Sequence, residues 1–188
     1  MKLHIVGVTL GGLLFSLWMG WGLYVIYSTA RPSYEIVQRF AVDVEIRQYQ
    51  EQTWISTAHD TDDGSFPVLA SYIFGRNKER RQVAMTAPVI TAERMSFILP
   101  DDLSLANAPA PDGQAIDFDT VPARKLATLE FSWWSSPGRV ESKTAELIAV
   151  LQAHGVETRG SPFLMRYNDP WTPPFLRRNE VAIEIEAL

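Results

Sequence analysis

The sequence predicts an α+β protein in which two helices pack on eight antiparallel strands, behind one N-terminal transmembrane helix. The strands are expected to form a distorted β-barrel or a curved antiparallel sheet. An uncharged apolar run occupies residues 5–27. Short segments in which apolar and polar residues alternate, as in Val42–Arg47, are typical of half-buried strands. Apolar residues of 140–154 recur every three or four positions, which indicates one face of a helix.

The N-terminal run is long enough to cross a membrane. As a helix, Ile5–Tyr27 would extend about 34 Å at about 1.5 Å per residue, and the hydrocarbon core of a bilayer is about 30 Å thick. Aromatic rings favour the membrane interface, and four lie near the C-terminal end: Trp18, Trp21, Tyr24 and Tyr27. The alternative is a signal peptide cleaved after Ser28-Thr29-Ala30, but signal peptides have apolar cores of about 7–15 residues. We therefore predict an uncleaved anchor over residues 1–30.

Residues 31–188 are predicted to form one domain, held outside the cytoplasm, in the periplasm, by a single-pass anchor. The chain has no cysteine, which excludes disulfides and thiolate metal sites. Its net charge of -5 argues against nucleic-acid binding, because neutralising phosphates requires a basic face. The sequence contains no recognisable nucleophile, metalloprotease or phosphate-loop motif, so we do not expect an enzyme.

The domain divides into two halves with the same predicted order, strand-strand-helix-strand-strand. The first helix is Phe66–Phe74, ended by Gly75, and the second opens at Ser136-Pro137 and ends at Gly155. The predicted strands of the first half are 42–47, 52–58, 82–91 and 94–99. Those of the second half are 116–119, 127–131, 163–167 and 181–185. The shared order predicts a pseudo-two-fold repeat, with a ligand groove where the halves meet.

Residues 66–89 are the most informative stretch for function. The apolar first helix is followed by a basic turn and then by the strand-like Met85–Val89; the cations of the turn are Arg76, Lys78, Arg80 and Arg81. An apolar wall beside a cationic rim suits a flat apolar ligand with acidic ends. The alternative is a solvated turn in which Glu79 and other acids pair with these cations at little energetic consequence.

Several short motifs, in order along the chain, resemble one known family. They are Tyr34-Glu35-Ile36-Val37, Glu45-Ile46-Arg47-Gln48-Tyr49, Phe66-x-x-Leu69-x-x-Tyr72-Ile73-x-Gly75-x-Asn77, Met85-Thr86-Ala87-Pro88-Val89, Ser96-Phe97-x-Leu99-Pro100, Pro109-x-Pro111, Tyr167-Asn168-Asp169-Pro170 and Arg177-Arg178-Asn179-Glu180-Val181. Together they cover about Tyr34 to Ile185 and resemble the SOUL haem-binding protein family. That resemblance implies a distorted β-barrel with two helices and an internal duplication. It also implies that haem or a related tetrapyrrole binds in an apolar groove beside the first helix.

The resemblance implies that the first helix supplies the apolar wall of this groove, through Phe66, Leu69, Ala70 and Ile73. Arginine suits the two propionates of a porphyrin, and the candidates are Arg76 in the basic turn with Arg177 and Arg178 in the closing loop. Met85 is a further candidate contact, although a buried methionine is more often a core filler.

Two of these motifs also have structural interpretations. Thr86 would bond the backbone of a bulged strand. The motif from Arg177 to Glu180 would tie the last strand to the sheet through an arginine–carboxylate pair.

No iron ligand is predicted. In some members of the family an axial histidine is proposed where this chain has Gln48, and other members are thought to bind haem without a protein ligand. The predicted function is a membrane-tethered tetrapyrrole-binding protein for trafficking or buffering. The alternatives are a binding module for another hydrophobic small molecule or lipid, and a scaffold whose groove binds a partner peptide.

Overall fold

The computed structural model describes residues 2–41, 43–57 and 62–186, which form three α-helices and one nine-stranded sheet. The helices are α1 (Lys2–Ser28), α2 (Asp62–Ile73) and α3 (Pro137–Ala153). The strands are β1 (Tyr34–Ala41), β2 (Val44–Tyr49), β3 (Gln52–Thr57), β4 (Val89–Thr91), β5 (Met95–Ile98), β6 (Asp117–Val121), β7 (Arg124–Phe131), β8 (Thr158–Arg166) and β9 (Asn179–Ile185). All neighbouring strands are antiparallel, in the order β1-β2-β7-β9-β8-β4-β5-β3-β6.

The predicted α+β class is confirmed. Of the two predicted strand arrangements, the antiparallel sheet is found in the described residues, and the eight-stranded barrel is wrong. The sheet has nine strands and is open, because its two edge strands, β1 and β6, do not pair with each other. The additional strand is β1, which begins with the motif Tyr34–Val37. Its pairing with β2 shifts register between Ile36 and Gln38 and again between Arg39 and Ala41. Such bulges twist an edge strand and protect it from pairing further.

The internal repeat is visible in the sheet. Without β1, each half contributes two strands, a helix and two strands, so that β2, β3, β4 and β5 correspond to β6, β7, β8 and β9. Without β1 the sheet order is β2-β7-β9-β8-β4-β5-β3-β6. When each strand is replaced by its counterpart in the other half, the same order is obtained in the opposite direction. The two halves are therefore related by a pseudo-two-fold axis between β4 and β8. The first strand of each half crosses over: β2 pairs with β7, and β6 pairs with β3.

Each domain helix covers its own part of the sheet. Leu147 and Leu151 of α3 are fully buried against residues of β2, β7 and β9, which confirms the predicted helical face. Leu69 and Tyr72 of α2 are fully buried in a second cluster with residues of β3 and β5. Burying one leucine or isoleucine side chain contributes about 1.5–3 kcal/mol. Helix packing on both halves therefore leaves the central strands β4 and β8 between the two helices.

The predicted strand 82–91 is much shorter than expected, since only Val89–Thr91 joins the sheet. Pro88 has no N–H group, and its neighbours bond outside the ladder. The Ala87 N–H donates to Ala30 O at 2.8 Å, and the Thr86 hydroxyl donates to Ile98 O. The structural interpretation of Thr86 as a backbone-bonding residue is therefore confirmed.

Helix α1 contains the predicted membrane segment. Among the described residues, no helix combines the length and hydropathy needed to cross a membrane. The last turns of α1 contact the domain, where Trp18 Nε1 donates to Trp171 O at 2.7 Å. Beyond the helix, Ala30 forms a parallel bridge with Thr86. The N-terminal helix is thus attached to the domain by backbone and side-chain hydrogen bonds.

A buried ionic network joins the last strand to β2. The Glu180 carboxylate, fully buried, accepts hydrogen bonds from Arg47 Nη1 at 2.8 Å, Arg178 Nε at 2.8 Å and Tyr167 OH at 2.9 Å. Burial lowers the pKa of Arg47, but the attraction of Glu180 and their hydrogen bond outweigh it, so the pKa is raised. Arg47 also donates to Glu45 at 2.8 Å. The predicted tie between the last strand and the sheet is therefore confirmed, with Glu180 paired to Arg47 of β2 and Arg178 paired to Glu130 of β7.

Replacing Glu180 is expected to destabilise the protein severely. Glu180→Gln leaves Arg47 and Arg178 without their buried counter-charge, and breaking a buried pair in this way costs about 3–5 kcal/mol. The free energy of unfolding, measured by denaturant titration, tests this. The matched control is Glu157→Gln at an exposed site, expected to change stability by less than about 0.5 kcal/mol. Equal stability of the two variants would contradict the assigned role.

A candidate apolar ligand groove

A groove of about 380 Å³ lies beside α2, at the junction of the two halves. Its size is within the range of about 300–1,000 Å³ typical of small-molecule sites. The lining comes from four segments, namely α2 (Phe66, Ala70, Ile73, Phe74), the chain entering β4 (Met85, Thr86, Ala87, Val89), the chain leaving β8 (Arg166, Tyr167, Asn168, Asp169, Pro170) and the end of α1 (Val25, Thr29). The lining is predominantly apolar, so the groove suits an apolar ligand.

Four of the sequence-predicted residues lie at this groove: Phe66, Ala70, Ile73 and Met85. The first three are spaced as i, i+4 and i+7 and therefore share one face of α2. Leu69, also predicted for the wall, lies on the neighbouring face and is fully buried in the core between α2 and the sheet. It supports the helix from behind instead of contacting the groove.

The three predicted arginines lie elsewhere. Arg76 follows Gly75, whose φ of 97° turns the chain away from α2, and it lines a separate small cavity. Arg177 donates to the backbone oxygens of Thr172 and Pro170 at 2.8 and 2.5 Å. Arg178 belongs to the buried network of Glu180. These side chains do not line the apolar groove.

Arg166, which the sequence reasoning did not select, is the arginine among the residues lining the groove. It ends β8 and pairs in register with Val89 of β4. Alternation along β8 could have identified it, because its neighbour Met165 is buried in the core cluster with Ile90 and successive side chains point to opposite faces. Asn168 adds a polar group: its Oδ1 accepts from Arg178 N at 2.7 Å, while its buried Nδ2 has no acceptor among the described residues.

A second cavity, of about 450 Å³, lies beside α3 and corresponds to the groove under the pseudo-two-fold axis. The groove is lined by the start of β4 and the end of β8, and the second cavity is lined by the end of β4 together with residues 162–164 and 166 of β8. Arg166 lines both cavities. The arginine therefore lies at the centre of the space between the two helices.

Tyr167 separates the groove from the buried ionic network. It lines the groove, and its hydroxyl donates to Glu180. Burial raises the pKa of Tyr167 well above 10, so the phenol is neutral at physiological pH. Arg178 stacks over its ring at 4.4 Å and Arg31 lies at 5.5 Å. The tyrosine is fixed in place and carries no charge toward the groove.

The lining offers little for ligating an iron atom. Haem iron is commonly held by histidine, cysteine, methionine or tyrosine, and among the described lining residues only Met85 and Tyr167 are of these types. The Tyr167 hydroxyl is already bonded to Glu180. Gln48 lies in β2, where its amide donates to Tyr49 O and Arg124 O, outside the groove. The residues fit the apolar face and the acidic groups of a haem better than they fit its metal.

Helix α1 forms one wall of the groove through Val25, and Thr29 adds to it directly after the helix. Its approach to the domain depends on Gly22. A Cβ atom at this position would lie 2.6 Å from Pro173 Cδ, far inside the usual contact distance of about 3.5–4.0 Å between carbon atoms. Glycine at this position therefore permits the close packing of α1 on the loop 171–176.

These features define a class of protein: an α+β domain with an internal repeat and an apolar ligand groove at the junction. A family model described as SOUL heme-binding protein matches residues 29–184. The chain therefore belongs to the SOUL heme-binding protein family, which confirms the resemblance seen in the sequence motifs. No curated protein matches the chain.

Solved structures share the fold at low sequence identity. The crystal structure of the EcmrR C-terminal domain matches with a TM-score of 0.56 and 15% identity, covering 82% of this chain and 99% of that one. A crystal structure described as a hydrolase from Listeria innocua matches with a TM-score of 0.55 and 8% identity, covering 85% of this chain and 94% of that one. At these identities the likeness extends to the fold alone.

The close approach at Gly22 gives a matched pair of substitutions. Both Gly22→Ala and Gly20→Ala gain helix propensity worth about 1 kcal/mol, but only Gly22→Ala meets the ring of Pro173, since Gly20 has open space around it. We expect a lower Tm for Gly22→Ala than for Gly20→Ala, measured on the full chain in one detergent. Identical Tm values would show that α1 does not pack on the loop 171–176.

Proposed function

We propose that this protein binds haem or a related tetrapyrrole in the groove beside α2 and carries or buffers it, without catalysing a reaction. The observation that carries the proposal is an apolar groove at the junction of two repeats, lined by an arginine, in a member of the SOUL heme-binding family. Phe66, Ala70 and Ile73 suit the face of a porphyrin. Arg166 and the Asn168 amide suit a propionate, because both donate hydrogen bonds.

Affinity in this proposal comes from apolar burial and from the acidic groups of the ligand. The lining residues include no histidine among those described, and the apolar area removed from water contributes about 25 cal/mol per Å². Binding by burial tolerates related ligands, because a flat apolar face is shared by all tetrapyrroles. The same observation favours a second candidate function, the binding of another apolar carboxylate such as a fatty acid.

Haemin titration of the purified full chain tests the proposal. Arg166→Gln is expected to weaken haemin binding about tenfold or more, because a hydrogen bond to a charged group contributes about 1.5–3 kcal/mol. The same substitution should change the affinity for a porphyrin with esterified propionates only slightly. The shift of the Soret band and the quenching of tryptophan fluorescence measure the affinities for haemin and for the ester.

The matched control is Arg76→Gln, which removes an arginine that lines a different cavity. It should bind haemin as the unchanged protein does. A chain that neither shifts the Soret band nor loses fluorescence would overturn tetrapyrrole binding. Equal losses for haemin and the ester would remove Arg166 from the role of propionate partner. Binding of a fatty acid in the absence of haemin binding would favour the second candidate.

We also propose that α1 anchors the protein in a membrane and holds the domain on the periplasmic side. Large apolar side chains of the described part of α1 are exposed around the helix, among them Leu13, Leu14, Leu17 and Leu23. A helix that is apolar on all sides requires an apolar environment. The uncharged segment 5–27 supports the same proposal.

Membrane attachment and sidedness can be tested in cells. We expect the chain to stay in the membrane fraction after an alkaline carbonate wash, and release into the supernatant would contradict the anchor. Because the chain has no cysteine, Gln152→Cys at an exposed position of α3 provides a single labelling site. A membrane-impermeant maleimide should label it in cells with a permeable outer envelope and an intact inner membrane. Labelling only after lysis would show that the domain faces the cytoplasm.

A further inference from the structure

An exposed aromatic surface lies beside the loop that contacts α1. Its members, which we call the aromatic face, are Trp133, Trp134, Trp171 and Phe175, with 45, 57, 74 and 42% of their surface exposed. Trp133 contacts Trp134 and Phe175 at ring-centroid distances of 5.7 and 6.3 Å. Trp171 lies in the same loop as Phe175, and clustered exposed apolar side chains of this kind mark a site of interaction.

The aromatic face is continuous with the aromatic end of α1. Trp18 Nε1 donates to Trp171 O, and Gly22 packs on Pro173 two residues further along the loop. The Trp133 N–H donates to Pro174 O at 2.8 Å, which attaches the other end of the face to the same loop. Five of the six tryptophans therefore belong to α1 or to the aromatic face, and only Trp54 lies in the body of the sheet.

The chemistry of this surface fits the interfacial layer of a bilayer. Tryptophan favours that layer because its ring is apolar and its N–H is polar. Arg177 lies over Trp134 of the aromatic face at 5.9 Å, while Arg139 lies over the ring of Phe131, which is buried and not part of the face, at 5.8 Å. Cations next to aromatic rings suit anionic lipid headgroups.

The length of α1 agrees with an interface at the level of Trp18. Because Trp18 and Gly22 contact the domain, the membrane-embedded part of α1 is shorter than the predicted residues 5–27 and lies before Trp18. Residues 2–17 of the helix extend about 24 Å, which covers most of a hydrocarbon core about 30 Å thick. The remaining turns, from Trp18 to Ser28, then lie at headgroup level and above, where α1 packs on the domain. Measured along α1, the groove-lining Val25 and Thr29 lie about 10 and 16 Å beyond Trp18.

We propose that the aromatic face lies in the interfacial layer of the membrane and orients the domain so that the groove opens close to the bilayer surface. The inference rests on the proposed membrane anchor and adds a defined orientation to it. A ligand dissolved in the outer part of the bilayer would then reach the groove without crossing bulk water. Apolar tetrapyrroles and fatty acids both partition into membranes, so the orientation serves either ligand.

Site-specific fluorescence in lipid nanodiscs tests this orientation on the full chain. Trp171→Cys, labelled with an environment-sensitive fluorophore, keeps the bond to Trp18, because that bond uses the backbone oxygen of residue 171. Gln152→Cys is the matched control, about 22 Å along α3 from its first residue. The nanodiscs contain phosphatidylcholine and phosphatidylglycerol, with or without a lipid that carries a doxyl quencher near the head of its acyl chain.

We expect the label at 171 to lose emission in the presence of the doxyl lipid and the label at 152 to keep it. Full emission at both sites in chains that remain bound to the nanodiscs would overturn the orientation and leave the anchor intact. Protection of the label at 171 from both the doxyl lipid and aqueous iodide would indicate a protein contact and also overturn it. Failure of the chain to enter nanodiscs would overturn the anchor itself, and the orientation with it.

Discussion

Three residue pairs between β4 and β8 hold the two halves of the domain together at their centre. Val89, Ile90 and Thr91 face Arg166, Met165 and Leu164 in register. Because side chains alternate across a strand, Ile90 and Met165 enter one core cluster, while the outer pairs face the helices. The outer pairs, Val89 with Arg166 and Thr91 with Leu164, line the space between α2 and α3 on the side of the sheet. The groove, the second cavity and the position of Arg166 all depend on this short pairing.

The groove stays apolar although a dense ionic network lies next to it. Tyr167 makes the boundary, with its ring at the groove and its hydroxyl on Glu180. Arg47 and Arg178 satisfy the carboxylate from the other side, so no charge of the network remains unpaired toward the ligand. Removing one member of such a network leaves a buried charge exposed to an apolar neighbour. Rigidity of the sheet and polarity of the groove are therefore controlled by the same few side chains.

Periodicity predicted the helices, eight of the strands and the repeat, because these depend on local patterns of apolar residues. Periodicity could not show that Leu69 is buried in the core whereas Ala70 lines the groove. The face of α2 that meets the sheet depends on side chains distant in sequence, such as Phe97. The expected cationic rim relied on closeness in sequence to α2, and the turn at Gly75 directs Arg76 elsewhere. Arg166 is determined by strand alternation and register, which become informative only once β4 and β8 are known to pair.

The crossing of strands between the halves has a consequence for biosynthesis. β2 pairs with β7, and β3 pairs with β6, so each pairing needs a strand that is synthesised later. The last of the nine strands, β9, lies between β7 and β8 in the interior of the sheet. During translation, several apolar strand edges therefore remain uncovered until β9 has been synthesised, and uncovered edges promote aggregation. Neither half therefore has a complete sheet of its own, because each takes its outer pairing from a strand of the other half.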